Sequence, residues 1–295
     1  MIEWLSTSLD GFMRYAVLLL LALLSLSANA HSGLHERIQL SSEAIEQSPD
    51  NPRPWVRRAY LHAEQGDWQM AFDDLDKAEA RVKDGGSMAL HRAAFQYKRA
   101  SDTEGWRKTA HLESARRELD EYLQHHATDS TAYLLHARVA RDLGSFDLAA
   151  ENFDKAISLS VREEAVIYLE RAEVLINSDR ADEALVGLRE GIKRMGAPLF
   201  LLRKAIELEV GLGQPEEALA LYELLPEEIR SSPDELMHKG DLLKLAGRDK
   251  EAVLAYCRAR TELSAFPDWR LRQPAYSSLG KELSKRHDSA CIVSH

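Results

Sequence analysis

Ser130 to Glu163 reads STAYLLHARVARDLGSFDLAAENFDKAISLSVRE, and its spacing decides the fold. Gly144 separates two helical stretches, and Ala149 follows it by five positions. Large and small side chains alternate in a fixed order along the segment: Tyr133, Ala137, Phe146, Ala149, Phe153 and Ala156. Two helices packed about 8 to 10 Å apart must present a small side chain where their backbones come closest, and an aromatic ring or a Leu fills the adjoining hole. The stretch therefore predicts a helical hairpin.

Outward from this segment the same register recurs. Gly66 with Ala71, Asp179 with Ala184, Gly213 with Ala218 and Gly247 with Ala252 repeat the five-residue relation. From Ala149 onward the alanines are separated by 35, 34 and 34 residues, whereas Ala71 and Ala149 are 78 apart. Two periods of 34 and ten extra residues fill that gap, so a degenerate repeat holding Ala93 and Ala115 is expected there, with an insertion near residues 101–106. A small residue marks the middle of each first helix, as Ala59, Ala93, Ala137, Ala172 and Gly240, with Ile206 the exception. In the second helices the large column runs Leu75, Leu119, Phe153, Leu188, Tyr222 and Tyr256. Three residues further on stand Ala78, Tyr122, Ala156, Gly191, Leu225 and Ala259.

These columns resemble the tetratricopeptide repeat, a 34-residue helix-turn-helix unit with large, small and glycine positions at fixed offsets. Pro52 to Gly85 carries Trp55, Ala59, Gly66, Trp68, Ala71, Leu75 and Ala78 at those offsets, and Ser130 to Glu163 carries its own set of seven. The later repeats match less fully: Pro215 and Asp249 stand where an aromatic is usual. The resemblance covers about Arg37 to Phe266 and implies an all-α, right-handed helical-hairpin solenoid. The expected organisation is a half-repeat helix within 31–51, six repeats over 52–266, and a C-terminal cap and tail over 267–295. Within the last segment, Ser277 to Arg286 reads as an amphipathic capping helix, since a solenoid needs a final helix with one wet face.

The N-terminal segment reads as an address. Arg14 to Ala30, RYAVLLLLALLSLSANA, has one basic residue, a short apolar run and a small-residue triplet that suits cleavage after Ala30. Residues 1–30 are expected to be a signal peptide, with translation starting at Met13, because Glu3 and Asp10 are out of place in a basic leader. The alternative is an uncleaved anchor, which would make the chain a membrane-tethered adaptor. Such a leader places the expected location outside the cytoplasm, and the lack of an Asn-X-Ser/Thr sequon favours a bacterial periplasm over a eukaryotic secretory route. In that oxidising setting Cys257 and Cys291 either pair, tying the tail to the last repeat, or stay as two thiols.

Composition narrows the function. The 48 acidic and 38 basic residues give a net charge of -10, which excludes a generally basic nucleic-acid binder. Two cysteines exclude a four-cysteine zinc site and a disulfide-stapled mini-scaffold. No phosphate-binding glycine loop, dinucleotide fingerprint, nucleophile elbow or His-Glu-X-X-His helix is present, so no enzyme and no cofactor are expected. A second reading is periplasmic copper handling: cleavage after Ala30 would leave His31 as an N-terminal chelator, with His35 one helical turn on.

The resemblance also implies where a partner sits, because first-helix positions 2, 5, 9 and 12 of such repeats line the concave face. In this sequence those positions include Arg53 and Tyr60 in the first repeat, and Leu134, Arg138 and Arg141 in the third. Leu169 and Glu173 follow in the fourth, and Arg203 in the fifth. The family's carboxylate clamp needs Lys and Asn where Val56 and Tyr60 stand here, which puts that mode in doubt. The expected activity is binding of a protein or peptide partner, its acidic portion toward Arg53, Arg138 and Arg141. Sequencing the N-terminus of the protein from the envelope fraction of its host is expected to read from His31; an intact residue 14–30 segment would instead establish the anchored form.

Overall fold

The computed structural model describes residues 33–82 and 88–286. Sixteen helices and no strand occur among the described residues. Residues 1–30, to which the sequence reading assigns a signal peptide, lie outside them, as do His31 and Cys291. The chain divides at Ala127 and Thr128 into two compact units, each with its own core.

The N-terminal unit holds α1 (residues 33–47), α2 (Pro52–Gln65), α3 (Trp68–Glu79), α4 (Ala89–Ser101) and α5 (Gly105–His125). Pairing runs between chain neighbours, α2 with α3 and α4 with α5. Asn51 starts α2 by accepting from the Arg53 N–H at 3.1 Å, and Pro52 follows, where its missing N–H costs nothing.

The C-terminal unit begins with α6 (Ser130–Asp142), α7 (Phe146–Leu159), α8 (Ala165–Ile176) and α9 (Ala181–Met195). Next come α10 (Leu199–Gly211), α11 (Pro215–Tyr222), α12 (Glu227–Arg230), α13 (Pro233–Leu245) and α14 (Asp249–Ser264). After α15 (Asp268–Leu271), α16 (Pro274–Arg286) packs against α14 and buries Leu279 and Leu283. Cys257 on α14 is disulfide-bonded. No helix among the described residues is long and apolar enough to cross a membrane.

Close helix approach explains the recurring alanines. Ala71, Ala115, Ala149, Ala184 and Ala218 have no exposed surface, and neither do Leu75, Leu119, Phe153 and Leu188, one turn further along. At Gly191 a Cβ would lie 2.9 Å from the Tyr168 ring, and at Gly240 it would collide with the ring of Tyr256. Each hairpin must also reverse within two or three residues. Gly66, Gly144, Gly213 and Gly247 do this with φ of +84, +77, +73 and +72°, and Asp179, at φ +58°, takes the same left-handed conformation between α8 and α9.

Regular repetition is broken at two places. First, α11 ends at Tyr222, so Leu225, assigned from the sequence to a helical column, lies in a turn instead. Pro226 is the cause: it lacks an N–H and disfavours helical geometry in the residue before it. Second, the ten extra residues of the second repeat form helix rather than a loop. The connection between α4 and α5 is only residues 102–104. The second helix α5 starts ten residues before Ala115, whereas α3 and α7 start three residues before Ala71 and Ala149.

Replacing Ala149 with Trp should force the α6–α7 pair apart and cost about 1–3 kcal/mol. A urea midpoint equal to that of the unaltered protein would contradict the packing register.

Candidate functional site

The irregular fifth hairpin opens a hollow of about 330 Å³ between α10 and α13, within the C-terminal unit. Its origin is local. Position 8 of α10 carries Ile206 where the other first helices carry Ala or Gly, and Ile206 is half-buried and lines the hollow. The short α11 contributes Tyr222 and the turn contributes Leu225, so the volume that a continuing helix would fill stays open. Val210, Leu242 and Leu245 complete an apolar lining.

One end of the hollow is polar. Glu235, in the first turn of α13, is only 4% exposed, yet it is a carboxylate. Arg203 of α10 donates to its Oε1, and His238 Nδ1 lies 3.6 Å from its Oε2. A buried charge must be compensated, and here one carboxylate oxygen meets the Arg203 guanidinium and the other faces the His238 ring. The Tyr222 hydroxyl donates to the Glu235 backbone carbonyl at 3.0 Å, fixing the start of α13. Opposite, Asp241 accepts from the Tyr256 hydroxyl at 2.7 Å and from Arg286 at 2.7 and 3.1 Å, so the last helix α16 holds that rim in place. Glu207, exposed on α10, adds a further negative charge.

The groove residues named from the sequence fall into distinct settings. Arg138 forks onto Glu170 of α8 at 2.7 and 2.9 Å, and Arg141 reaches the same carboxylate at 3.0 Å while also bonding Asp142 at 2.8 Å. These arginines are thus occupied by a carboxylate of the unit itself, a neutralisation that the sequence reading did not foresee. Leu134 and Leu169 are half-buried against the core of the same unit, and Glu173 stands exposed on α8. Arg203 belongs to the hollow. In the N-terminal unit Arg53 is exposed, and the Tyr60 hydroxyl lies 2.9 Å from His91 Nδ1 with its ring edge-on to Phe95 at 4.9 Å. His35 is exposed on α1, and no group of three or more His, Cys, Asp or Glu among the described residues is placed to hold a metal ion.

Glu235, His238 and Glu170 are the contributors missed from the sequence. Glu235 reads there as an ordinary acidic residue of a helix start, and nothing local signals its burial.

The N-terminal unit has its own polar cluster. Arg58 holds Asp74 with bonds of 2.7 and 2.8 Å and donates to Ser42 Oγ at 2.9 Å, while His62 Nε2 stands 3.8 Å from Asp74. Burial pushes the His62 pKa below the usual histidine range, against the opposing pull of Asp74, and burial lowers His91 as well. The Glu235 carboxylate does the reverse to His238, raising it.

Residues 130–160 match the tetratricopeptide repeat family model. No curated protein matches the chain by sequence. Among solved structures, the C-terminal part of a TPR repeat-containing protein from Cytophaga hutchinsonii is similar with a TM-score of 0.59 and 15% identity, over 84% of this chain and 95% of that one. A thermophilic TPR protein from Thermus thermophilus has a TM-score of 0.47 and 19% identity, over 63% and 96%. YrrB, described as a TPR protein with an unusual peptide-binding site, has a TM-score of 0.43 and 15% identity, over 82% and 97%. The first of these likenesses shows a shared fold.

The histidine shifts have opposite signs, so they act in different pH windows. A raised folded pKa makes the His238 contribution complete below pH 6.5 and lost as pH rises through the raised value. Lowered folded values make the His62 and His91 contributions complete above pH 6.5 and lost as pH falls below it. Urea titrations from pH 5 to 8 are expected to show His238→Gln flattening the loss above pH 6.5 and His62→Gln flattening the loss below it. Unchanged slopes would refute these assignments.

Proposed function

From a chain built of tetratricopeptide repeats we infer a scaffold or adaptor that holds a protein or peptide segment against the first helices of the C-terminal unit. The hollow between α10 and α13 carries this reading. Its apolar lining suits one large aliphatic or aromatic anchor side chain, and its location includes Arg203, one of the groove positions implied by the repeat register.

Charge selects the rest of the ligand. With Arg138 and Arg141 held by Glu170, Arg203 by Glu235 and Glu207 by Lys204, the other exposed charges on these helices include the acidic Glu173 and Asp234 and the basic Lys244. At this hollow the carboxylates of Glu207, on the rim, and Asp234, in the first turn of α13, favour a partner segment that is apolar with basic residues beside its anchor, whereas the sequence reading turned an acidic portion toward Arg53, Arg138 and Arg141. No covalent step is involved. We place the protein outside the cytoplasm, in a bacterial periplasm, on the composition of Arg14 to Ala30.

A displayed library of random peptides selected on the purified chain tests this reading. Enriched peptides should pair a large apolar residue with Lys or Arg. Leu245→Ser and Glu207→Lys, both at exposed positions, should each weaken them at least about tenfold, which is about 1.4 kcal/mol. Enrichment of acidic peptides, or binding indifferent to both substitutions, would reject it.

A further inference from the structure

The extension of the α4–α5 hairpin has no role in the core. Every residue from Glu104 to Ala110 is exposed, and the first buried side chain of α5 is Leu112. The seven extra residues at the start of α5 raise the tip by about 10 Å of helix. At that tip Trp106 is 75% exposed, with the Arg107 guanidinium 5.4 Å from the centre of its ring.

A single exposed apolar side chain is ordinary on a protein surface. Trp106 differs in standing on a segment whose packing gives it no reason to exist. Trp269, at 66% exposure, is the useful contrast: its neighbour Arg270 turns inward, stacking 3.8 Å over Phe266 and bonding the Tyr276 hydroxyl at 2.9 Å. Around Trp106, Lys98, Arg107 and Lys108 are exposed and Arg99 is half-buried. Lys98 and Arg99 end α4, Arg107 and Lys108 begin α5, and none of the four makes a salt bridge with another described residue. Against them stand Asp102 and Glu104, so the tip is locally positive on a chain of net charge -10. Cations in the first turn of a helix also oppose its macrodipole, an arrangement that helix stability does not favour and that a facing anion would relieve.

We propose that this tip is a membrane-surface anchor, in which Trp106 enters the headgroup region of an anionic lipid surface while Arg107, Lys108, Lys98 and Arg99 pair with lipid phosphates. Trp is the side chain of the membrane–water interface, and Lys and Arg beside it reach the charged headgroups. One ring on a projecting point needs no complementary pocket in a fluid surface. A protein partner is the weaker fit, because a stable protein interface takes about 20 to 30 residues a side and the tip offers seven. Binding through one ring and a few charges is reversible and salt-sensitive.

Vesicles with brominated acyl chains read the insertion directly, by contact quenching of Trp fluorescence. The chain starting at His31 and its Trp106→Phe variant are compared in phosphatidylglycerol and in phosphatidylcholine vesicles, so that quenching of the other tryptophans cancels in the difference. The expected result is a quenching difference with phosphatidylglycerol that falls at least fivefold in 0.5 M NaCl, in phosphatidylcholine, and in the Arg107→Glu/Lys108→Glu double variant. Melting curves of the variants should match that of the unaltered chain, since all three positions are exposed. No difference between the chain and Trp106→Phe in phosphatidylglycerol, or an equal difference in phosphatidylcholine, would overturn the proposal. Shielding of Trp106 that appears only on adding a protein would overturn it too.

Discussion

Close approach of paired helices at small side chains is the constraint from which the rest follows. Ala71, Ala115, Ala149, Ala184 and Ala218 are fully enclosed because a larger side chain there would hold the helices of a hairpin apart. Tyr168 over Gly191 and Tyr256 over Gly240 show the same contact from the other side, a ring laid directly on backbone. Repetition of one such contact gives each unit its core. In the fifth hairpin Ala205 and Ala218 keep the close contact, and the early end of α11 leaves the hollow lined by Ile206.

Charge is organised by the same stacking. Glu170, Glu235 and Asp74 are carboxylates drawn largely or wholly out of water, and each is met by an arginine from a neighbouring helix. Isolated burial of such groups would be prohibitive, and breaking one partner leaves the other uncompensated. Arg138, Arg141 and Arg203 each join one helix to a carboxylate of another, which ties the repeats together.

The two unusual hairpins of the chain depart from the repeat in opposite ways. The fifth is shortened and leaves an apolar space, which takes a side chain in. The second is lengthened and lifts Trp106 away from any core, which sends a side chain out. A regular repeat supplies rigidity, and both proposed recognition features lie where its length is broken. Rigid helices on either side of each departure keep it in position.

The sequence by itself determined the all-α hairpin fold. Ala149, Gly144 and Phe153 act within one 34-residue unit, where the 3.6-residue helical period converts spacing directly into a shared face. The exception at Ile206 was visible as a break in a column, and Pro226 as a residue that stops a helix, but neither showed that the space would stay open. Nor did the ten-residue insertion show that it would become helix, since helical and irregular connections close the same gap. Only the tertiary structure decided that Arg138 and Arg141 turn to Glu170, that Arg203 turns to Glu235, and that Glu235 is buried. Those partners lie 29 to 32 residues apart. Helical period relates residues within a helix, whereas a long arginine side chain chooses among carboxylates on whichever helix packing brings near.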